Sequence, residues 1–378
     1  MRLLLTLIAL CLSLSRPALA GAAWQPAKTH ALIVGILEWQ DKDLAPFPKE
    51  NRQDRALERA LLANGVPAAN IAFLADRQAT LPAIRAAVDG LAAKAGPGST
   101  LLFYFAGHGL QSGGRTYLAN YDVDSGRMAA TGFGVTELAD RLASRWRGER
   151  ALLMADCCHS GALGEVVQRL GAAGKAAACL TSATATNIST GRWTFTESVV
   201  RSLLGEGRVD RNGDRSLTFA EVDGHVHDEM KFAEDQLTKG LRAGGFEADW
   251  QLRTVPAGKV LAYAAVKSPW SIGMYADCLA EDKWWRAQIL QVENGRCQVH
   301  YLGWEDKWDE WVPLSRLRAV GTSRFAAGQR VQVEWEAKWY PARIQQSAES
   351  FFHFVRYDGY GPEFDEWVTD KRLKAAER

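Results

Sequence analysis

The sequence predicts an α/β protein, a three-layer αβα sandwich around a mostly parallel sheet, with two small β-barrels towards its C-terminal end. Three observations predict it: short apolar runs alternate with helix-like segments, the composition breaks near residues 267–271, and an internal repeat lies beyond that break.

The first run, ALIVGIL at 31–37, has the continuous hydrophobicity of a strand buried on both faces. LLFYFAG at 101–107 and ALLMADC at 151–157 repeat the pattern, and 71–74 and 178–182 are weaker forms of it. Between them, segments 51–64, 81–95, 135–145 and 195–204 space apolar residues three and four apart, as a helix with one buried face requires. In such sheets chemistry collects in the loops leaving the carboxyl ends of the strands. His108 follows LLFYFAG directly and Cys158 follows ALLMADC, so an imidazole and a thiol are expected at one sheet edge.

Past the break, tryptophan density rises and a motif set recurs. KWWRAQI at 283–289 returns as KWYPARI at 338–344, HYLGW at 300–304 as RYDGY at 356–360, and DEWV at 309–312 as DEWV at 365–368. The period is 55 residues at the first match (338 less 283) and 56 at the others (356 less 300, 365 less 309). Units this short, rich in strand-forming aromatics and broken by Gly, suit SH3-like barrels of about five strands. The expected division is 29–266 for the α/β domain, with barrels at 272–320 and 326–376.

The 378 residues carry 45 Lys and Arg against 44 Asp and Glu, a formal charge of +1, so no overall pull towards nucleic acid is built in and none is expected as a partner. Residues 1–20 read as a secretory signal: Arg2, an apolar run over 3–14, and Ala18-Leu19-Ala20 at the cleavage position. Export to the periplasm or outside the cell is expected, with a mature chain from Gly21 and no membrane span after it. Five cysteines then remain, an odd number for an oxidising compartment, so at least one thiol is expected free.

Attack on an amide carbonyl by cysteine needs a thiolate, a base for its proton, and donors for the developing oxyanion. His108 lies in a Gly-His-Gly context that lets backbone approach a substrate closely, and Cys158 precedes His159-Ser160-Gly161, where a helix or turn directs N–H groups forward. These residues resemble the caspase-like superfamily of cysteine peptidases, metacaspases in particular. FYFAGHG carries its histidine block, DCCHSG its Asp-x-Cys-His-Ser-Gly block, and QDRALERALLANGV its first helix. The resemblance implies a caspase-like fold, His108 as base, Cys158 as nucleophile, and the N–H groups of Gly109 and Cys158 as oxyanion hole, with no cofactor required. Cys157 competes as nucleophile, but strand alternation turns it to the opposite side.

Metacaspase-like enzymes cut after Arg or Lys through an acidic pocket. The resemblance assigns Asp54 and Asp156 to it, with a helix-start role as the alternative for Asp54; Asp122 and Asp124, in YDVD, are read either as rim contributors or as turn residues. DRNGDRSLTFAE at 210–221 places Asp210, Asn212, Asp214, Ser216 and Glu221 at positions 1, 3, 5, 7 and 12 of an EF-hand-like loop, although Arg215 replaces the Gly of position 6. A Ca2+ site and a polar turn are the two readings.

Each repeat resembles a Tudor-knot or chromo-barrel module, whose aromatics cage cationic side chains. Trp285, Tyr301, Trp304, Trp308 and Trp311 form one expected cluster; Tyr340, Tyr357, Tyr360, Phe364 and Trp367 form the other. For an exported chain the expected ligand is a peptide or cell-wall component. Cys278 and Cys297 are read either as a disulfide or as two buried thiols. The leading function is an endopeptidase acting on protein or peptide substrates; the alternative is an inactive caspase-like adaptor that presents its barrels.

Overall fold

The computed structural model describes residues 23–184, 192–261, 268–335 and 337–376. The segment read as an export signal lies outside them. In the first domain the strands are β1 (Thr29–Gly35), β2 (Ile71–Ala75), β3 (Thr100–Ala106), β4 (Gly109–Ser112), β5 (Arg115–Leu118), β6 (Phe133–Gly134), β7 (Arg150–Asp156), β8 (Ala176–Thr181), β9 (Ser216–Thr218), β10 (Leu241–Ala243) and β11 (Gln251–Thr254). The helices are α1 (Gln53–Ala63), α2 (Leu81–Lys94), α3 (Met128–Thr131), α4 (Val135–Arg145), α5 (Leu163–Ala172), α6 (Thr194–Leu203) and α7 (Phe219–Ala233).

A six-stranded sheet runs in the order β10-β8-β7-β3-β1-β2, parallel except for β10. The apolar runs become its centre: every residue of β3 is buried, as is every residue of β7 after Arg150. Alternate residues feed two cores. Leu101, Phe103 and Phe105 pack with α2, α4 and α5 on one face, while Leu102, Tyr104 and Ala106 pack with α1, α6 and α7 on the other. That is the αβα sandwich the alternation predicts. Two departures have local causes. The first helix starts at Gln53 rather than residue 51, because Asn51 is left-handed (φ 56°) and Arg52 is extended. The three-stranded sheet β4-β5-β6 was not foreseen; its strands are at most four residues long, too short for alternation to register.

The repeat forms two five-stranded antiparallel barrels. The first comprises β12 (Tyr275–Ala280), β13 (Lys283–Glu293), β14 (Arg296–Tyr301), β15 (Glu310–Pro313) and β16 (Leu317–Ala319). The second comprises β17 (Arg330–Trp335), β18 (Lys338–Ala348), β19 (Phe352–Tyr357), β20 (Glu366–Thr369) and β21 (Leu373–Ala375). In each, the long second strand breaks register at equivalent places, Ile289/Gln291 and Ile344/Gln346, which bends it enough to serve both sides of a small barrel. A polar knot recurs too: Glu310 accepts from the Tyr301 hydroxyl (2.8 Å) and Arg316 (2.7 Å), and Glu366 accepts from Tyr357 (2.7 Å) and Arg372 (2.7 Å).

Both barrels rest on the first domain. Phe232 of α7 stacks against Tyr275 (4.3 Å between centroids) and faces Phe351 (6.0 Å). Ion pairs Arg201–Asp306 and Lys231–Glu349, each 2.9 Å, flank that contact. No helix among the described residues is long and apolar enough to cross a membrane. Cys278 and Cys297 are buried free thiols, which corrects the disulfide reading: they stand on β12 and β14 with β13 between, and the Cys278 sulfur meets the Tyr301 hydroxyl at 3.3 Å instead.

Replacing Glu366 by Ala removes the acceptor of the Tyr357 hydroxyl and the counter-charge of Arg372, and is expected to cost about 1–3 kcal/mol. Urea unfolding followed by tryptophan fluorescence reads this as a lowered midpoint; an unchanged midpoint would show that the knot contributes nothing.

Candidate active site

Strands β3 and β7 are neighbours in register, with Ala106 opposite Asp156. His108 and Cys158 therefore each lie two residues past a matched pair, at the same sheet edge. Their loops touch backbone to backbone: a Cβ on Gly109 would lie 1.8 Å from the Cys158 carbonyl oxygen. Only glycine allows that approach, which brings the two N–H groups assigned to the oxyanion hole onto adjoining segments. After Cys158 the chain turns sharply at His159, which is left-handed (φ 56°), and enters a short 3-10 turn leading into α5.

His108 is half-buried between Trp39 (4.4 Å between ring centroids) and Phe47 (4.6 Å). Its Nε2 lies 2.8 Å from the Ala45 carbonyl oxygen. A carbonyl only accepts, so the proton of the neutral ring sits on Nε2 and Nδ1 keeps its lone pair. Burial lowers the imidazole pKa, with the carbonyl contact acting against it. The ring is thus neutral at physiological pH. Trp39, Phe47 and Ala45 carry no motif, and the sequence reading missed them.

Cys157 and Cys158 both border a cleft of about 400 Å3, but Cys158 is partly exposed there, while Cys157 is 2% exposed and packs in the α2/α4/α5 core, as alternation requires. Burial also raises the pKa of the Cys157 thiol well above its usual value, and pushes Cys179 up to about 12.

The acidic pocket differs from the expected one. Asp156 lines the cleft, but Asp54 and Asp122 do not. Asp54 is fully buried and held by Arg52, whose guanidinium also pairs with Asp76 and the Gly35 carbonyl, so its charge is already matched. Asp122 accepts the Leu81 N–H (2.7 Å) at the start of α2 and the Asn120 amide (2.8 Å), a helix-start role. In their place stand Glu197 of α6 and Glu234 just past α7, with Glu50 beside them and Arg192 as the opposing cation. Burial raises the Asp156 carboxyl to about 7, against the Thr196 and Ser182 hydroxyls that hydrogen-bond it; the Thr196 contact is 2.6 Å. Burial raises Glu197 as well, with Arg201 acting against it. No local pattern marks Glu197 or Glu234; each arrives from a helix far along the chain.

In the 210–221 loop, Arg215 takes the left-handed conformation (φ 68°) that position 6 demands, and its side chain turns away to the Val255 carbonyl. The donor side chains hold their own loop: Asp210 accepts from Gly213 and Arg215 N–H, Asp214 from Ser216, Asn212 from Asp214, and Glu221 from Thr218. Ser216 begins β9, which pairs with β11. These carboxylates do not converge; among the described residues His300, Asp306 and Asp309 alone bring three His, Cys, Asp or Glu ligand atoms within 4.8 Å.

Trp285, Trp304 and Trp308 gather on the first barrel, with centroids 5.3 and 6.0 Å apart, beside Tyr301. Tyr340, Tyr357, Tyr360 and Phe364 gather on the second. Trp311 and Trp367 correct the expected clusters: each precedes a core valine, Val312 or Val368, so alternation turns it away from the barrel interior, and Trp367 packs on Phe354 instead.

Residues 28–278 match the caspase domain of peptidase C14, and residues 280–321 match the Agenet domain. PHD finger protein 20-like protein 1 of Mus musculus is 32% identical over 20% of this chain and 10% of its own length. Chromatin modification-related protein EAF3 of Saccharomyces cerevisiae is 40% identical over 12% of this chain and 11% of its own. The chain thus spans about a tenth of the curated relatives it matches. Protein GSU0716 from Geobacter sulfurreducens, a crystal structure, aligns at 15% identity with a TM-score of 0.44, over 61% of this chain and 98% of that one. With two thirds of its length matched by one family, this chain belongs to the caspase-domain family, peptidase C14, and carries a Tudor-like Agenet domain after it.

Proposed function

We propose that the protein is an exported cysteine endopeptidase of metacaspase type that cleaves after Arg or Lys. The observation that carries this is one cleft lined by Cys158 together with Asp156, Glu197 and Glu234. Converging carboxylates attract a guanidinium or ammonium and repel an acidic side chain, which disfavours cleavage after aspartate.

The chemistry follows from the site. His108 Nδ1 takes the Cys158 proton, the thiolate attacks the carbonyl carbon, and the N–H groups of Gly109 and Cys158 receive the oxyanion. The imidazolium returns the proton to the leaving amine, and water then hydrolyses the thioester. The Trp39 and Phe47 rings hold the imidazole in place while the Ala45 carbonyl fixes its tautomer. The barrels are read as binding modules for a peptide or cell-wall ligand.

Calcium forms a separate part of the proposal, with no step of the reaction routed through it. The 210–221 loop has the left-handed sixth residue and the paired strand of an EF-hand loop, and Asp210, Asn212, Asp214, Ser216 and Glu221 would hold the ion once their side chains turn inward.

Cys158→Ala is expected to abolish cleavage of arginyl substrates; retained turnover would remove Cys158 from its role. On the native protein, iodoacetamide should label Cys158 well before Cys157, Cys179, Cys278 or Cys297, as peptide mass spectrometry reads directly, because those four are buried. For Asp156 the sign is set by its raised pKa: below about 7 the carboxyl is neutral and attracts a guanidinium weakly, above it the charge is present. The kcat/KM for an arginyl substrate should therefore rise with pH through about 7, and Asp156→Asn should flatten that limb. Calcium should raise the melting temperature of the wild type but not of Asp210→Ala/Asp214→Ala; an equal rise in the double variant would exclude the loop.

A further inference from the structure

The 302–309 loop of the first barrel has two sides. On one, Gly303 lines the catalytic cleft with Cys158, Asp156 and Glu197. On the other, Trp304 and Trp308 stand with Trp285 around a second cavity of about 830 Å3. Gly303 and Trp304 are consecutive, so their Cα atoms lie about 3.8 Å apart and one loop separates cleft from cavity. Asp306 of this loop pairs with Arg201 at 2.9 Å. Arg201 belongs to α6, the helix that brings Thr196 to Asp156 and Glu197 to the cleft.

The second cavity suits a cation on an apolar stem. Its rings stand nearly perpendicular in sequence, Trp285 to Trp304 at 89° and Trp304 to Trp308 at 80°, and Trp304 and Trp308 are 43% and 53% exposed. Ring faces attract cations, as Lys307 over the Trp308 ring at 5.8 Å already shows, and with Glu310 paired to Arg316 the lining still sets Glu281, Asp282 and Asp309 against Lys307. Two cation-selective sites thus share one loop as their common wall.

We propose that this loop makes the first barrel a substrate exosite of the peptidase. A peptide with one basic side chain in the acidic cleft at Cys158 lays a second cationic side chain into the Trp285–Trp304–Trp308 cavity. The proposal rests on the peptidase reading above. The occupant is the substrate chain itself, because the cavity adjoins the cleft across Gly303 and carries the same charge preference.

The test compares peptides that share one arginyl scissile site. One series carries a lysine scanned along either flank, and the control has alanine there. The best-placed lysine is expected to raise kcat/KM roughly tenfold, through KM, about the effect of one partly desolvated cation–π contact. Trp308→Ala should bring that ratio near one, and Trp308→Phe should restore most of it. A ratio near one in the wild type at every lysine position overturns the exosite, as does a ratio that survives Trp308→Ala. Tryptophan-fluorescence titration of full-length Cys158→Ala with the same peptides separates the two readings. Tighter binding of a lysine peptide, lost on adding Trp308→Ala, supports the exosite even if the wild type cleaves nothing and the peptidase reading falls; equal binding of all peptides overturns it.

Discussion

The parallel register of β3 and β7 is the constraint on which the site depends. Because Ala106 stands opposite Asp156, the first loop residues of both strands emerge at one level of the sheet, and a histidine and a cysteine far apart in sequence are delivered to one sheet edge. A shift of one residue in either strand would also exchange the faces of every buried side chain between the two cores, so packing enforces the register. Backbone contact between Gly109 and Cys158 then sets the separation of the two loops more tightly than side-chain contact would.

Around that register the molecule manages buried charge in two ways. Where a carboxylate serves the fold, it is matched: Asp54 is closed off by Arg52, and Glu310 and Glu366 are each locked between a tyrosine and an arginine. Where carboxylates face the cleft, they are grouped with one another, and the Thr196 and Ser182 hydroxyls hydrogen-bond Asp156. Like charges brought together at low dielectric resist ionisation until a cation arrives, and on this grouping the proposed preference for a basic ligand rests. Arg201 links this cleft to the first barrel, since the helix that carries Glu197 also anchors Asp306. The first barrel is thus tied to the helix that shapes the pocket.

Much of the architecture was legible before any coordinates. The five apolar runs are strands of the main sheet, and the segments at 81–95 and 135–145 are helices to within a residue, because burial on one or both faces imprints a period on the chain itself. The repeat foretold two like barrels, and its 56-residue offset carries over to the Tyr301–Glu310–Arg316 and Tyr357–Glu366–Arg372 knots. Partner choice was not legible. A motif position points Asp54 into the pocket and Asp122 stands as a rim candidate, yet Arg52 lies two residues before Asp54 and captures it, and Asp122 meets the start of a helix 41 residues earlier.

The sequence by itself therefore determined the order and kind of the elements, the edge at which His108 and Cys158 emerge, and the doubling of the barrel, since each depends on local periodicity or on a contiguous motif. Tertiary structure alone decided which carboxylates meet in the cleft, that Ala45 fixes the imidazole tautomer, that Trp311 and Trp367 leave their clusters, and that Gly303 reaches the cleft at Cys158. Those are pairings across 40 to 145 residues of chain in the cases of Thr196 with Asp156 and Gly303 with Cys158, and no period or spacing in a linear chain encodes which distant surfaces will be pressed together.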